Sequence, residues 1–276
     1  MKIAILTPSR QRPGKLDRLI DSVYETASKK NSIRMYNYID TDDPRIKQYR
    51  NNEKNNVFPH LLDVGLTVFN VYDKPQSVSK SWNVLAEKAM YESKEWGADV
   101  LIMGNDDQVY KTKDWDIILQ KELEQFDDDI YCCWFEDLIN GKSHCAFPIV
   151  SSKWYETLGY FTPGVFHFGY NDTWVYDIAK RIDRCHFITE VVVEHLHFST
   201  GKVQMDVTYN RNRTEKRGNL YHLDKVIFDE TEDQREQAAE KLRKCMNEFN
   251  GSVTLKSIKS LKESNNCSYG IMPHPH

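Results

Sequence analysis

The sequence predicts an α/β fold, with a mainly parallel central sheet, helices on both faces and a C-terminal helical extension. Three observations carry this. Short apolar runs at residues 3–6, 66–72 and 100–103 each have the length of a buried strand. Segments with apolar residues at helical spacing separate them, and strands alternating with helices imply parallel pairing. Hydrophobic residues make up 40% and charged residues 28% of 276, an ordinary globular balance with enough chain for a sizeable core.

Taken in order, residues 3–6 read as a first strand. Pro13-Gly14 precedes a helix with Leu16, Leu19, Ile20, Val23 and Tyr24 on one face. Residues 33–39 form a second strand that alternates Ile33, Met35, Asn37 and Ile39 against Arg34, Tyr36 and Tyr38. It ends at Asp40 in a turn that Pro44 keeps from continuing as helix. Residues 47–56 are a loop or short helix, and residues 66–72 a third strand. Val78, Trp82, Leu85, Ala89 and Met90 mark a second helix. Residues 100–103 form a strand ending in Asn105-Asp106-Asp107, and Trp115, Ile118, Leu119, Leu123 and Phe126 mark a third helix. Beyond residue 130 the pattern loosens. Strands are expected at 131–135, 146–150 and 191–197, and a helix at 173–182. A basic polar segment follows residue 201, then an amphipathic helix with Ala238, Leu242, Met246 and Phe249, and a loose end over 259–276.

Several classes are excluded or disfavoured. The net charge of −4 gives no global field for nucleic acid, although Arg211, Arg213, Lys216 and Arg217 form a local basic cluster. The first apolar run is broken at Thr7-Pro8, too short for a signal peptide or membrane helix, so a cytoplasmic protein without a membrane anchor is expected. The six cysteines show no C-x-x-C spacing and read as reduced thiols. The G-x-G-x-x-G fingerprint is absent. Gly141-Lys142-Ser143 is not a P-loop, because Glu136 stands where the earlier glycine is required.

The acidic turn carries the most information. A buried strand ending in Asn105-Asp106-Asp107 puts carboxylates at the carboxyl edge of the sheet, where open α/β sheets bind ligands. Adjacent carboxylates repel unless a cation neutralises them, and Mg²⁺ and Mn²⁺ bind through one or two carboxylates plus substrate phosphates. Thr7-Pro8-Ser9-Arg10-Gln11-Arg12, Asp40, Asn171-Asp172-Thr173-Trp174 and Glu194-His195-Leu196-His197 can join them at that edge.

Together, the opening T-P-S-R, the Asp ending strand two, S-x-S-K-S-W-N before a helix, the D-x-D-like turn, D-T-W opening a helix and the late E-H-x-H resemble a GT-A fold glycosyltransferase of the large family-2-like group, phage-type enzymes included. The resemblance spans residues 1–200, leaving 201–276 as an extension with a basic loop and amphipathic helix. It departs at Asn105, which occupies the first D-x-D position.

The resemblance implies transfer of a sugar from a nucleoside-diphosphate sugar, UDP-linked in most relatives, to an acceptor hydroxyl with inversion. Thr7, Pro8, Arg10, Arg12, Asp40, Lys80, Asn83 and Asp106 would bind the donor. Asp107, with His195 or His197, would hold Mn²⁺ or Mg²⁺ to neutralise the departing diphosphate. Asp172 is the candidate general base, and Asp also suits the N-cap of the helix that starts there. The acceptor is a saccharide or, given the basic cluster, a hydroxymethylated DNA base. A metal-dependent nucleotidyltransferase or phosphodiesterase, or a non-catalytic nucleic-acid-binding module, are the alternatives.

Overall fold

A computed structural model describes residues 1–54, 65–213 and 219–266. Strand β1 (Lys2–Ser9) lies between β2 (Ser32–Asp40) and β4 (Val100–Met103), and β2 pairs onward with β3 (Leu66–Asp73), all in parallel. The sheet then continues through β7 (Ile149–Ser151), β6 (Cys132–Glu136), β8 (Cys185–His195) and β5 (Gln108–Tyr110), giving the order β3-β2-β1-β4-β7-β6-β8-β5. Antiparallel pairing enters where β7 meets β4 and β6, and where β5 meets β8.

Period-two alternation sends neighbouring side chains to opposite faces. Ile3, Ile5, Ile33, Met35 and Ile102 pack on one face with Leu19 of α1 (Pro13–Thr26) and Trp115 of α4 (Trp115–Leu123). Ala4, Leu6, Tyr36, Tyr38 and Met103 pack on the other with α3 (Val78–Tyr91), α5 (Ser152–Leu158), α6 (Asn171–Arg181) and α9 (Glu232–Asn266). A leucine such as Leu19, fully buried here, costs about 2–5 kcal/mol when cut to alanine. No described helix is long and apolar enough to cross a membrane. Cys132, Cys133, Cys145, Cys185 and Cys245 are free thiols, and Cys267 lies outside the described residues.

Three local readings change and one open alternative is decided. The second strand is buried on both faces, not on alternating sides, because it sits inside the sheet with helices above and below. Residues 46–54 are helix α2 (Ile46–Lys54), with Tyr49 buried. Strand β5 and helix α5 had no strong periodic signal. The latter is fixed by its caps: the Ser151 side chain accepts from the Trp154 amide, and Gly159 ends it with φ of 80°. Helix α9, docked through Ala238, Ala239 and Leu242, continues to Asn266 where a loose end was expected. Once nucleated, a helix gains one bond per residue fixed.

Candidate active site

Parallel strands β1, β2 and β4 point their carboxyl ends to one edge, and a cleft of about 760 Å³ opens there. Two groups of residues line it, one from the parallel half of the sheet and one from loops of the mixed half.

The parallel half contributes a charge network centred on Arg12. This side chain follows β1 at the N-cap of α1 and is buried. Its Nη1 donates to Asp106 Oδ1 at 2.9 Å and lies 3.8 Å from Asp107 Oδ2, and its Nε and Nη2 hold both oxygens of Asp206 at 2.8 Å. Lys15 shares Asp206 at 2.7 Å. Burial opposes the charge on Arg12, but the surrounding carboxylates outweigh it and raise its pKa. Asp106 also accepts from Ser9 Oγ at 2.8 Å, yet burial pushes its carboxyl up. Asp107 is buried too, but the nearby His195 ring, the hydrogen bond from Tyr209 and the charge of Arg12 bring it below the usual range. Arg10 pairs with Asp40 at 2.5 Å and with Asp42, at the end of β2. Helix α7 (Val207–Arg213) closes this end: the Thr208 hydroxyl donates to the Arg10 carbonyl, and the Tyr209 hydroxyl donates to Asp107 Oδ2.

Strand pairing places the histidine. Register sets Gln108 opposite His195, and the Leu196 amide donates to the Asp107 carbonyl at 2.8 Å, so His195 Nε2 lies 3.5 Å from Asp107 Oδ1. His197 caps the next short turn, with its ring 5.2 Å from that of His195.

The mixed half contributes residues 139–147 and 167–173. Asp172 stands in the first turn of α6, whose N-cap is Tyr170 in the left-handed region at φ of 62°. Asp172 Oδ1 accepts from the Thr173 amide at 2.8 Å, and Oδ2 lies 3.2 Å from His144 Nε2. That hydrogen bond raises the His144 pKa against its partial burial. The loop before α6 is held from below by Asp224 of α8 (Leu220–Glu230). Fully buried, Asp224 accepts the amides of His167, Phe168 and Gly169 at 2.9, 2.7 and 2.8 Å. Tyr170 and Tyr221 lie 5.2 Å apart at the mouth.

No family model matches the chain, and no curated protein matches its sequence. Solved structures do match. GalNAc-T7 with UDP, GalNAc and Mn²⁺ superposes with a TM-score of 0.55 at 12% identity, covering 71% of this chain and 44% of that one. The mannosyltransferase PcManGT from Pyrobaculum calidifontis, in complex with GDP-Man and Mn²⁺, gives 0.50 at 12%, covering 94% and 79%. S. aureus TarS 1–349 gives 0.50 at 10%, covering 70% of this chain and 59% of its own. The fold is that of the GT-A glycosyltransferases.

On this GT-A frame the sequence-derived residues fall into three groups. Pro8, Arg10, Arg12, Asp40, Asp106, Asp172, His195 and His197 all line the cleft. Thr7 and Asp107 lie behind its wall, fully buried. Thr7 packs so tightly beneath Gly104 that a Cβ there would meet its Oγ1 at 2.3 Å. Lys80 and Asn83 stand apart from the cleft lining. Lys80 is exposed on α3, and Asn83 clamps the loop at 161–162, accepting from the Phe161 and Thr162 amides at 3.0 and 2.9 Å and donating to the Thr162 carbonyl. Of the basic cluster, Arg211 lines the cleft. Lys216, Arg217 and the Arg213 side chain lie outside the described residues. Trp154, Tyr155, Phe161 and Trp174 are core, with Tyr160 packed against it.

A divalent cation has a partial fit. Asp107 Oδ1 is buried without a hydrogen-bond donor, and His195 Nε2 lies 3.5 Å from it. An oxygen and an imidazole suit Mn²⁺ or Mg²⁺. Among the described residues no three His, Cys, Asp or Glu side chains cluster, so the donor phosphates and water would complete the shell.

Sequence reasoning missed Lys15, Asp206, Tyr209, His144 and Asp224. Asp206 and Tyr209 lay in a polar segment without periodicity. His144 followed a turn considered only for its glycine and lysine.

Proposed function

We propose that this protein is a metal-dependent glycosyltransferase, moving a sugar from a nucleoside-diphosphate sugar to a saccharide hydroxyl with inversion at the anomeric carbon. One observation carries the reading: on a GT-A frame, a single cleft joins an end lined by Arg10, Arg12 and Arg211 to an end bearing Asp172 and His144. Structures sharing the fold hold UDP-GlcNAc, GDP-Man with Mn²⁺, and UDP with Mn²⁺, which supports a nucleotide-sugar donor.

In this mechanism Asp40 and Pro8 receive the nucleoside. Arg10, Arg12 and Arg211 face the diphosphate, and Arg12 can exchange one carboxylate partner for a phosphate oxygen without losing a charge-assisted bond. Asp107 and His195 would hold a divalent cation, which would supply Lewis-acid stabilisation of the leaving diphosphate. Asp172, from the mixed half, belongs to the group that takes the acceptor proton. The acceptor end offers Asn140, Tyr170 and Tyr221, and none of its described lining residues is a lysine or arginine. Amide and aromatic surface with a carboxylate suits a neutral saccharide better than a phosphodiester backbone, which needs cations.

The test combines binding and turnover. UDP, GDP and their sugars are screened by thermal shift with Mn²⁺ or EDTA, then labelled donors are offered with saccharides and with hydroxymethylcytosine DNA. A Mn²⁺-dependent shift and labelled saccharide are expected. Phosphodiester cleavage without sugar transfer would move the protein to the phosphodiesterase class, and labelled DNA would reverse the acceptor assignment.

A further inference from the structure

The geometry points to His144 as the catalytic base of the proposed transfer, with Asp172 as the residue that positions it. This rests on the glycosyltransferase reading and changes which atom takes the proton.

Asp172 has both oxygens committed. Oδ1 accepts the Thr173 amide, and Oδ2 faces His144 Nε2 at 3.2 Å. A carboxylate so placed orients an imidazole and stabilises its protonated form. It fixes the tautomer with hydrogen on Nε2, leaving Nδ1, which makes no hydrogen bond among the described residues, as the basic atom. His144 is about one-third exposed in the cleft wall, so an acceptor hydroxyl can reach it. Its ring stands edge-on to Tyr176, with centroids 5.6 Å apart, which restricts rotation.

The charged groups around it are Asp172 and Lys180 on α6 and Asp137 after β6. The two carboxylates raise its pKa and the lysine opposes them. A second histidine, His167, also meets a carboxylate in this wall, with Nδ1 3.2 Å from Asp224 Oδ1. Asp224, however, is occupied by three backbone amides and holds the loop, so this pair anchors the chain.

The step balances without a further reactant. The acceptor O–H proton passes to His144 Nδ1 while Nε2–H stays bonded to Asp172. The hydroxyl oxygen forms its bond to the anomeric carbon as the bond to the diphosphate oxygen breaks, and that oxygen keeps the electron pair.

The experiment is the pH dependence of saccharide transfer by wild type, H144Q, D172N and H167Q, with donor affinity measured alongside. Wild type should gain activity as pH rises through the His144 pKa, above the ordinary histidine value of about 6.5. H144Q should lose about 10²-fold in kcat and lose that limb, with donor affinity unchanged. D172N should lose activity and shift the limb downward, which a purely structural Asp172 would not do. Should H144Q fail to fold, D172N carries the test on a protein that keeps His144. A limb unchanged in H144Q, or lost in H167Q, overturns the assignment while leaving the glycosyltransferase reading intact. No transfer by wild type from any donor sinks both.

Discussion

The two ends of the cleft are held by opposite means. The donor end is ionic: Arg10, Arg12 and Lys15 interleave with Asp40, Asp106, Asp107 and Asp206 at the tips of adjacent parallel strands. At the acceptor end, loops are pinned to the core by polar side chains that accept backbone amides, Asp224 beneath residues 167–169 and Asn83 beneath 161–162. Strand ends are rigid and can carry closely packed charge, because each carboxylate is fixed against a cation. Loops have no such frame, so their geometry is set from below by single anchors.

Breaking one anchor at each end should show the difference. Arg12→Ala removes the buried cation shared by Asp106, Asp107 and Asp206, leaving Lys15 on Asp206 alone. Loss of one partner from a buried ion pair costs about 3–5 kcal/mol, and urea unfolding should register it as a lower midpoint at unchanged slope. A cost under about 1 kcal/mol would mean water enters that network freely. Asp224→Ala should cost less, about 1–3 kcal/mol, since the freed amides of 167–169 can meet solvent at the cleft wall. Its mark should be local: faster hydrogen exchange over 165–172, with the strands of the donor end unchanged.

The smallest effect is a difference in sign with pH. Burial pushes Asp206 up, but hydrogen bonds from Arg12 and Lys15 prevail and hold its carboxyl well below the usual range. The stability it adds is present above the unfolded value of about 3.9 and fades as pH falls toward its folded value. Asp172 raises His144, so that contribution is complete below about 6.5 and is lost as pH rises through the folded value. Subtracting the stability curve of D206N from wild type should therefore leave a loss on the acid side, and that of H144Q a loss above neutrality. Curves of the same sign would show that the ends are not electrically distinct.

This contrast also explains what was legible beforehand. The parallel half could be read from sequence because buried strands are apolar runs and their ends are marked by Ser9-Arg10, Asp40 and Asn105-Asp106-Asp107. Asp172 and His195 stood out only through resemblance to a known fold. His144 could not be read, since its partner lies 28 residues onward and meets it only when β6, β7 and α6 are assembled. Asp224 looked like an ordinary helix residue, because nothing local tells a carboxylate that will receive three amides from one that faces water. Lys80 and Asn83 were placed near the nucleotide by motif position. Helix α3 turns Lys80 outward and directs Asn83 to a loop.

The bond from Arg12 to Asp206 spans 194 residues of chain. At a translation rate of about 5–20 residues per second, Arg12 waits roughly 10–40 s for that partner to be synthesised. The parallel strands can pair during this interval, because β1 through β4 are already made. The donor pocket cannot be completed, since Tyr209 and Asp206 do not yet exist. Its assembly is thus a late co-translational event, and a ribosome that stalls before codon 206 displays a nascent sheet whose central cation still lacks the carboxylate supplied from the far end of the chain.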